Sequence, residues 1–144
     1  MIDTKRLFIK PLNYNELLTY TKDKIALDKL LGLNATSGYI SPALKETIEN
    51  AMLPALSKPT TNYLYATLWV LICKQENKII GGISFTGEPD IKGAIEIGYG
   101  CYEEFRNKGF MKEAVKGMLQ WAGKQSEIFS ILACSSKENI ASYR

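Results

Sequence analysis

An α+β fold, a mostly antiparallel sheet flanked by helices, is predicted by three observations on this chain. Residues 63–74 and 78–86 are both rich in β-branched and aromatic side chains and are separated only by Gln75, Glu76 and Asn77, which is hairpin spacing. Residues 94–102 form a third such run behind a turn at 87–93 containing Pro89 and Asp90, so three antiparallel strands follow one another. On either side of this block the apolar residues recur at helical spacing instead.

Taken in order, residues 4–12 hold Leu7, Phe8 and Ile9 ahead of Pro11 and predict a first strand that the proline closes. Residues 13–33 follow with Leu17, Leu18, Ile25, Leu27, Leu30 and Leu31 near helical spacing, Asn13 placed to cap the first turn and Gly32 to end the segment. Ser41 and Pro42 make a cap and first-turn pair, after which Leu44, Ile48, Ala51 and Met52 form an apolar stripe that Pro54 and Pro59 bring to an end. Behind the three strands, Ala114, Val115, Met118, Leu119 and Ala122 fall on one helical face and Lys112, Glu113, Lys116 and Gln120 on the other, so this helix packs its apolar face on the sheet. Residues 128–134 predict a last strand and residues 138–144 the start of a helix.

Composition sets outer bounds on the partners. The 144 residues, 46% of them apolar, suffice for one domain whose core needs no staples. A net charge of +3 is no basic field of the kind that binds nucleic acid tightly. Cys73, Cys101 and Cys134 are odd in number and far apart, and the chain has no histidine, which argues against a zinc site and a disulfide framework. The N-terminus carries Asp3, Lys5 and Arg6 rather than an apolar signal core, and no apolar run approaches the roughly 18 residues of a membrane span. The expectation is a soluble, cytoplasmic chain with no metal, nucleic-acid or membrane partner.

The stretch most informative about chemistry is 95–122, where a short apolar strand runs into Arg106, Asn107, Lys108, Gly109, Phe110 and Met111 and then into the amphipathic helix. A basic, glycine-containing turn that opens directly into a helix directs unpaired main-chain N–H groups and the positive end of the helix dipole at one spot, which suits a diphosphate. Gly109 is the only glycine between Tyr102 and Ala114, so the turn lacks the spacing of a dinucleotide fingerprint, and no Walker-type ending is present.

With these residues in place, the order of elements resembles the GNAT superfamily of acyl-CoA-dependent N-acyltransferases, particularly its ribosomal-protein N-terminal (alanine/serine) acetyltransferase branch. Thr4, Lys5, Arg6 and Leu7 look like that branch's opening strand, Ile80, Gly81, Gly82 and Ile83 its third, and Ile97, Gly98 and Tyr99 its fourth. Arg106 and Gly109 match the family's cofactor loop, Met111 departs from its final Gly or Ala, and Glu113 with Ala114 is typical of the branch. Asn139 and Ser142 resemble the asparagine, two residues, serine signature that follows the fifth strand.

The resemblance implies a GNAT-like sheet with splayed fourth and fifth strands and acetyl-CoA as cosubstrate. Its pyrophosphate would rest on the loop Arg106, Asn107, Lys108, Gly109, Phe110 and Met111, with Gly109 permitting close approach and Arg106 and Lys108 adding charge-assisted contacts; a solvated turn is the alternative for the two cations. Main-chain groups near Tyr99 and Cys101 would pair with the pantetheine amides, while core packing is the other role open to Tyr99. Acetyl transfer needs a neutral amine, a stabilised oxyanion and a departing thiolate. Glu96 resembles in position the general base of some relatives, and is otherwise a glutamate on a solvent face. Ser142 is similar to the serine that contacts the cofactor sulfur and Asn139 to the residue that binds pantetheine or the acceptor side; capping of a short helix is the plainer role for this pair. Cys101 as a nucleophile has nothing evident nearby to lower its pKa.

The family's domain continues past this serine with two more strands. The expectation is therefore a single acyl-CoA N-acyltransferase-like domain over 1–144, C-terminally truncated and without the last two strands. Its exposed fifth-strand edge predicts a truncated product, a disrupted gene, or a homo-oligomer in which a neighbour covers that edge. The expected function is transfer of an acetyl group to a primary amine, at a protein N-terminus or in a small molecule. An α-amine of pKa about 8 needs only about 1 kcal/mol to be neutral at pH 7, whereas a lysine near about 10.4 needs over about 4, and a weak base such as Glu96 suits the first. The alternative is a non-catalytic acyl-CoA-binding or sensor module.

Overall fold

The computed structural model describes residues 2–34, 42–58, 62–85, 93–101, 108–125, 128 and 130–134; at 94, 99–101 and 130–134 it is the main chain that is described. Six strands pair in chain order into one sheet: β1 (Ile2–Asp3), β2 (Leu7–Pro11), β3 (Leu68–Cys73), β4 (Lys78–Phe85), β5 (Ala94–Cys101) and β6 (Ser130–Cys134). Neighbours from β1 to β5 are antiparallel, those from β3 to β5 as the three successive runs predict, whereas β5 and β6 are parallel. A parallel pair needs a crossover, and the amphipathic helix, α6 (Phe110–Ala122), lies between these two strands in the chain.

Both faces of the sheet are covered, which explains why β3 is buried along its whole length. Trp69, Leu71 and Cys73 point into one core with Ala114, Val115 and Met118 of α6, while Leu68, Val70 and Ile72 point into a second with Leu17, Tyr20, Leu27, Ile48 and Met52. The first core is anchored by edge-to-face contacts of Tyr65 with Phe85 and of Trp69 with Trp121, their ring centroids 5.7 and 5.1 Å apart.

Several sequence expectations are corrected by local chemistry. The strand expected over 4–12 starts only at Leu7, as β2, because residues 4–6 form a turn behind the short β1, in which the Thr4 hydroxyl accepts from Leu7 N–H at 3.1 Å. The helical region 13–33 is two helices, α1 (Tyr14–Lys22) and α2 (Lys24–Leu30). Asp23 parts them because its carboxylate accepts from the N–H groups of Ile25 and Ala26, competing with helix continuation. Asn13 does cap α1, in a reciprocal box with Glu16. Residues 63–66 form a helical turn, α5 (Tyr63–Ala66), capped by Asn62, so the strand expected from 63 starts at Leu68. The last strand begins at Ser130 rather than 128, Ile128 being buried in the core ahead of it.

The proline-marked helix is α3 (Pro42–Thr47), a π-helical segment (Ile48–Met52) and α4 (Leu53–Leu56). Pro54 has no N–H and would clash with the carbonyl four residues back, and the widened turn in which Leu53 N–H reaches Ile48 O accommodates it. Of the expected stripe, Ile48 and Met52 are buried, Leu44 is partly so, and Ala51 is exposed because the widened turn changes the phase. Ser41, Pro59 and the turn at 87–93, apart from Gly93, lie outside the described residues, as does 138–144.

Candidate functional site

The candidate site lies where β5 runs on past its described pairing with β6. Parallel pairing runs from Ala94 opposite Ser130 to Gly98 opposite Cys134, and β5 then continues to Cys101 with β4 alone on its flank among the described residues. Tyr99 is paired with Ile83 and Cys101 with Gly81, so this stretch is held on its β4 side.

Lys108 and Gly109 lead into α6. Gly109 stands at the N-cap with φ +80°, a left-handed conformation open to glycine at no steric cost, and it offers no capping side chain. The first N–H groups of an α-helix have no intrahelical partner, so the start of α6 presents a cluster of main-chain donors at the positive end of the dipole. A Cβ on Gly109 would come to 3.3 Å from Arg6 Nη2, filling the approach to that cluster. Phe110 is buried, so its side chain belongs to the core and its main chain is what it offers a ligand. Met111 packs partly buried against the same core.

Three residues that sequence reasoning did not assign to the site surround this turn. The Arg6 guanidinium lies 4.3 Å from the Phe110 ring centroid and donates through Nη1 to Lys108 O at 3.1 Å, gripping the residues on both sides of Gly109. Its Nε donates to Glu113 Oε1 at 2.7 Å, while Glu113 Oε2 accepts from Arg6 N–H at 2.7 Å and from the Thr4 hydroxyl at 2.5 Å. Burial pushes the Glu113 carboxyl up, but the hydrogen bonds from Thr4 and Arg6 and the Arg6 charge outweigh it, so the group is held below its ordinary value. Beside this arrangement opens a groove of about 360 Å³ lined by Lys5, Arg6, Cys73, Lys74, Gln75 and Phe110. Over a hundred residues separate Thr4 and Arg6 from Glu113, and no local pattern announces such a pairing.

Glu96 is exposed on β5, on the face opposite Ile95 and Ile97, which are buried toward α6. It thus shares the sheet face that α1, α2 and the π-helical segment cover elsewhere. Arg106, Asn107, Asn139 and Ser142 lie outside the described residues. Among the described residues no group of three or more His, Cys, Asp or Glu could hold a metal ion, and no helix is long and apolar enough to cross a membrane.

The profile of the acetyltransferase (GNAT) domain matches residues 38–144. The chain belongs to the GNAT acetyltransferase family. Two uncharacterized N-acetyltransferases of Bacillus subtilis (strain 168), YjdG and YnaD, are 33% identical to this GNAT chain over 76 residues and 34% over 77. The matches cover 53% and 51% of the chain but 45% and 43% of those proteins, so the chain spans about half the length of the curated relatives it matches. Among solved structures, a GNAT-family acetyltransferase from Bacillus anthracis superposes with a TM-score of 0.57 at 21% identity, over 95% of this chain and 75% of that one. A ribosomal-protein-S5-alanine acetyltransferase from Vibrio fischeri gives 0.59 at 22%, over 91% and 71%. A ribosomal L7/L12 α-N-protein acetyltransferase, RimL, in complex with coenzyme A gives 0.57 at 16%, over 90% and 71%. At such identities the likeness is one of fold, and it agrees with the expected GNAT-like sheet.

Proposed function

We propose that this GNAT chain binds acetyl-CoA and transfers its acetyl group to a primary amine by direct attack in a ternary complex. The observation that carries the reading is the start of α6 behind left-handed Gly109, at the same end of the sheet as the stretch of β5 from Tyr99 to Cys101, which lies beyond the pairing with β6 among the described residues. In this reading the pyrophosphate lies on the main chain of Arg106, Asn107, Lys108, Gly109, Phe110 and Met111, and the pantetheine arm adds to β5 along Tyr99 and Cys101. Family membership supports the cosubstrate, and a solved neighbour of the same fold is a complex with coenzyme A. The amine nitrogen attacks the thioester carbonyl, the C–S bond breaks, and the thiolate leaves as free CoA after taking up a proton. Glu96, directly or through water, receives the proton the amine gives up, and Asn139 and Ser142 attend the pantetheine and the sulfur. An α-amine is the favoured acceptor because a carboxylate is a weak base, and solved neighbours are named for modifying the N-terminal serine of ribosomal protein L7/L12 and as an L7/L12 α-N-protein acetyltransferase.

The test measures acetyl-CoA affinity by calorimetry and release of free thiol with an N-terminal peptide or a blocked lysine peptide at neutral pH. We expect uptake, thiol release, preference for the N-terminal peptide, and loss of uptake in Gly109→Val, which combines a Cβ in the cradle with a backbone conformation costing about 1–2 kcal/mol for a branched residue. Uptake without thiol release from any amine would assign the chain to binding without catalysis, and unaltered uptake by Gly109→Val would remove the cradle from the site.

A further inference from the structure

We infer that Arg6, held by Glu113 and Thr4, is a positioning residue that sets the shape of the phosphate-binding turn from the opposite end of the chain. The inference rests on the acyl-CoA reading of that turn and goes beyond it. Lys108 is the residue before left-handed Gly109 and Phe110 the first residue of α6, so whatever fixes those two fixes the direction of the N–H groups between them. Arg6 touches both, by the 3.1 Å hydrogen bond to Lys108 O and by stacking 4.3 Å from the Phe110 ring. A guanidinium with this reach needs its own anchor, and Glu113 supplies it through Nε while also accepting the Arg6 main-chain N–H and the Thr4 hydroxyl. Thr4 and Arg6 are in turn fixed in the β1–β2 turn, because Thr4 N–H donates to Leu7 O at 2.8 Å and Arg6 O accepts from Lys74 N–H at 2.9 Å. The Glu113 carboxylate, from the first turns of α6, is thereby drawn back onto the hairpin. The sheet edge, the turn and the helix form one closed circuit of contacts.

Charge alone and positioning make opposite predictions, which allows a decisive experiment. If Arg6 acted simply by attracting phosphate, Glu113→Gln would remove a competing negative charge and tighten acetyl-CoA binding. If Arg6 acts by holding the turn, Glu113→Gln weakens binding even though the arginine remains. Calorimetry with acetyl-CoA is therefore done on the wild type, Glu113→Gln, Arg6→Gln and the double variant, with Met118→Ala, a core change away from the turn, as a control for general destabilisation. We expect each single variant to bind about tenfold more weakly, the scale of coupling inside one hydrogen-bonded network, and the double variant to be no weaker than either. Turnover at saturating acetyl-CoA stays within about twofold, so that the change falls on KM rather than kcat, and Met118→Ala in its folded temperature range keeps wild-type affinity. Tighter or unchanged binding by Glu113→Gln, or equal weakening by Met118→Ala, overturns the positioning role while the acyl-CoA reading stands. A wild type that takes up no acetyl-CoA overturns both.

Discussion

The Glu113 side chain is 18% exposed, and burial alone would raise its pKa; the Thr4 hydroxyl, the Arg6 main-chain N–H and the Arg6 guanidinium together hold it below the ordinary 4.5. A carboxyl whose folded pKa is depressed contributes stability that is present in full above its unfolded pKa and is lost as pH falls through the folded one. Glu113→Gln is therefore expected to lower stability at neutral pH by about 1–3 kcal/mol, nearer the lower figure because the Arg6 side chain is 41% exposed and screened. The gap between variant and wild type should narrow progressively below pH 4.5. Urea unfolding of both proteins along a pH series measures it, and a gap constant with pH would mean the carboxylate contributes through shape rather than charge. At this scale Gly109 was legible in sequence, since a lone glycine between a strand and a helix has a physical reason to be there. The partnership of Arg6 with Glu113 was not, because charge and spacing say nothing about residues brought together across the fold.

Among the elements, α6 is the one whose placement decides the site. Gly117 faces the hairpin, and a Cβ there would meet Thr4 Cγ2 at 3.0 Å and Ile9 Cδ1 at 3.4 Å, so the missing side chain lets the helix lie close on β1 and β2. Gly117→Val is expected to cost about 1–3 kcal/mol by overpacking, read from denaturant unfolding. It should also raise amide exchange in the first turn of α6, since the displaced helix carries Glu113 away from Arg6. A variant as stable as the wild type would show that the helix can slide without loss. The apolar face of α6 was evident from its periodicity, as were the strands β3, β4 and β5. The element edges were less so: Asp23 splits one apolar-periodic segment into two helices, and the Asn62-capped turn takes the first residues of an apparent strand. In both places a short polar side chain bonded to nearby N–H groups overrode the hydrophobic pattern.

On the scale of the whole molecule, helices bury both faces of the sheet, and the proposed acyl-CoA site lies at the end of the sheet where α6 begins. A ligand bound only by the folded chain stabilises it by mass action, so acetyl-CoA at a hundredfold excess over its dissociation constant should add about 2.7 kcal/mol and raise the melting temperature. Dephosphorylated pantetheine at equal concentration should give a much smaller shift, because it lacks the diphosphate for which the α6 start is suited. Equal shifts from both would move the main binding energy away from the turn.

Local chemistry, which the amino-acid order states directly, determined the α+β class, the three successive antiparallel strands, the amphipathic α6 and the glycine turn in front of it. Periodicity, capping and the conformational freedom of glycine act within a few residues, and they are visible in one dimension. Tertiary structure alone decided that β6 pairs in parallel with β5, that the face of β5 carrying Glu96 is the one turned away from α6, and that Thr4 and Arg6 close around Glu113. Those outcomes depend on which distant surfaces meet once both faces of the sheet are buried, and that is settled by packing of the whole chain rather than by any segment of it.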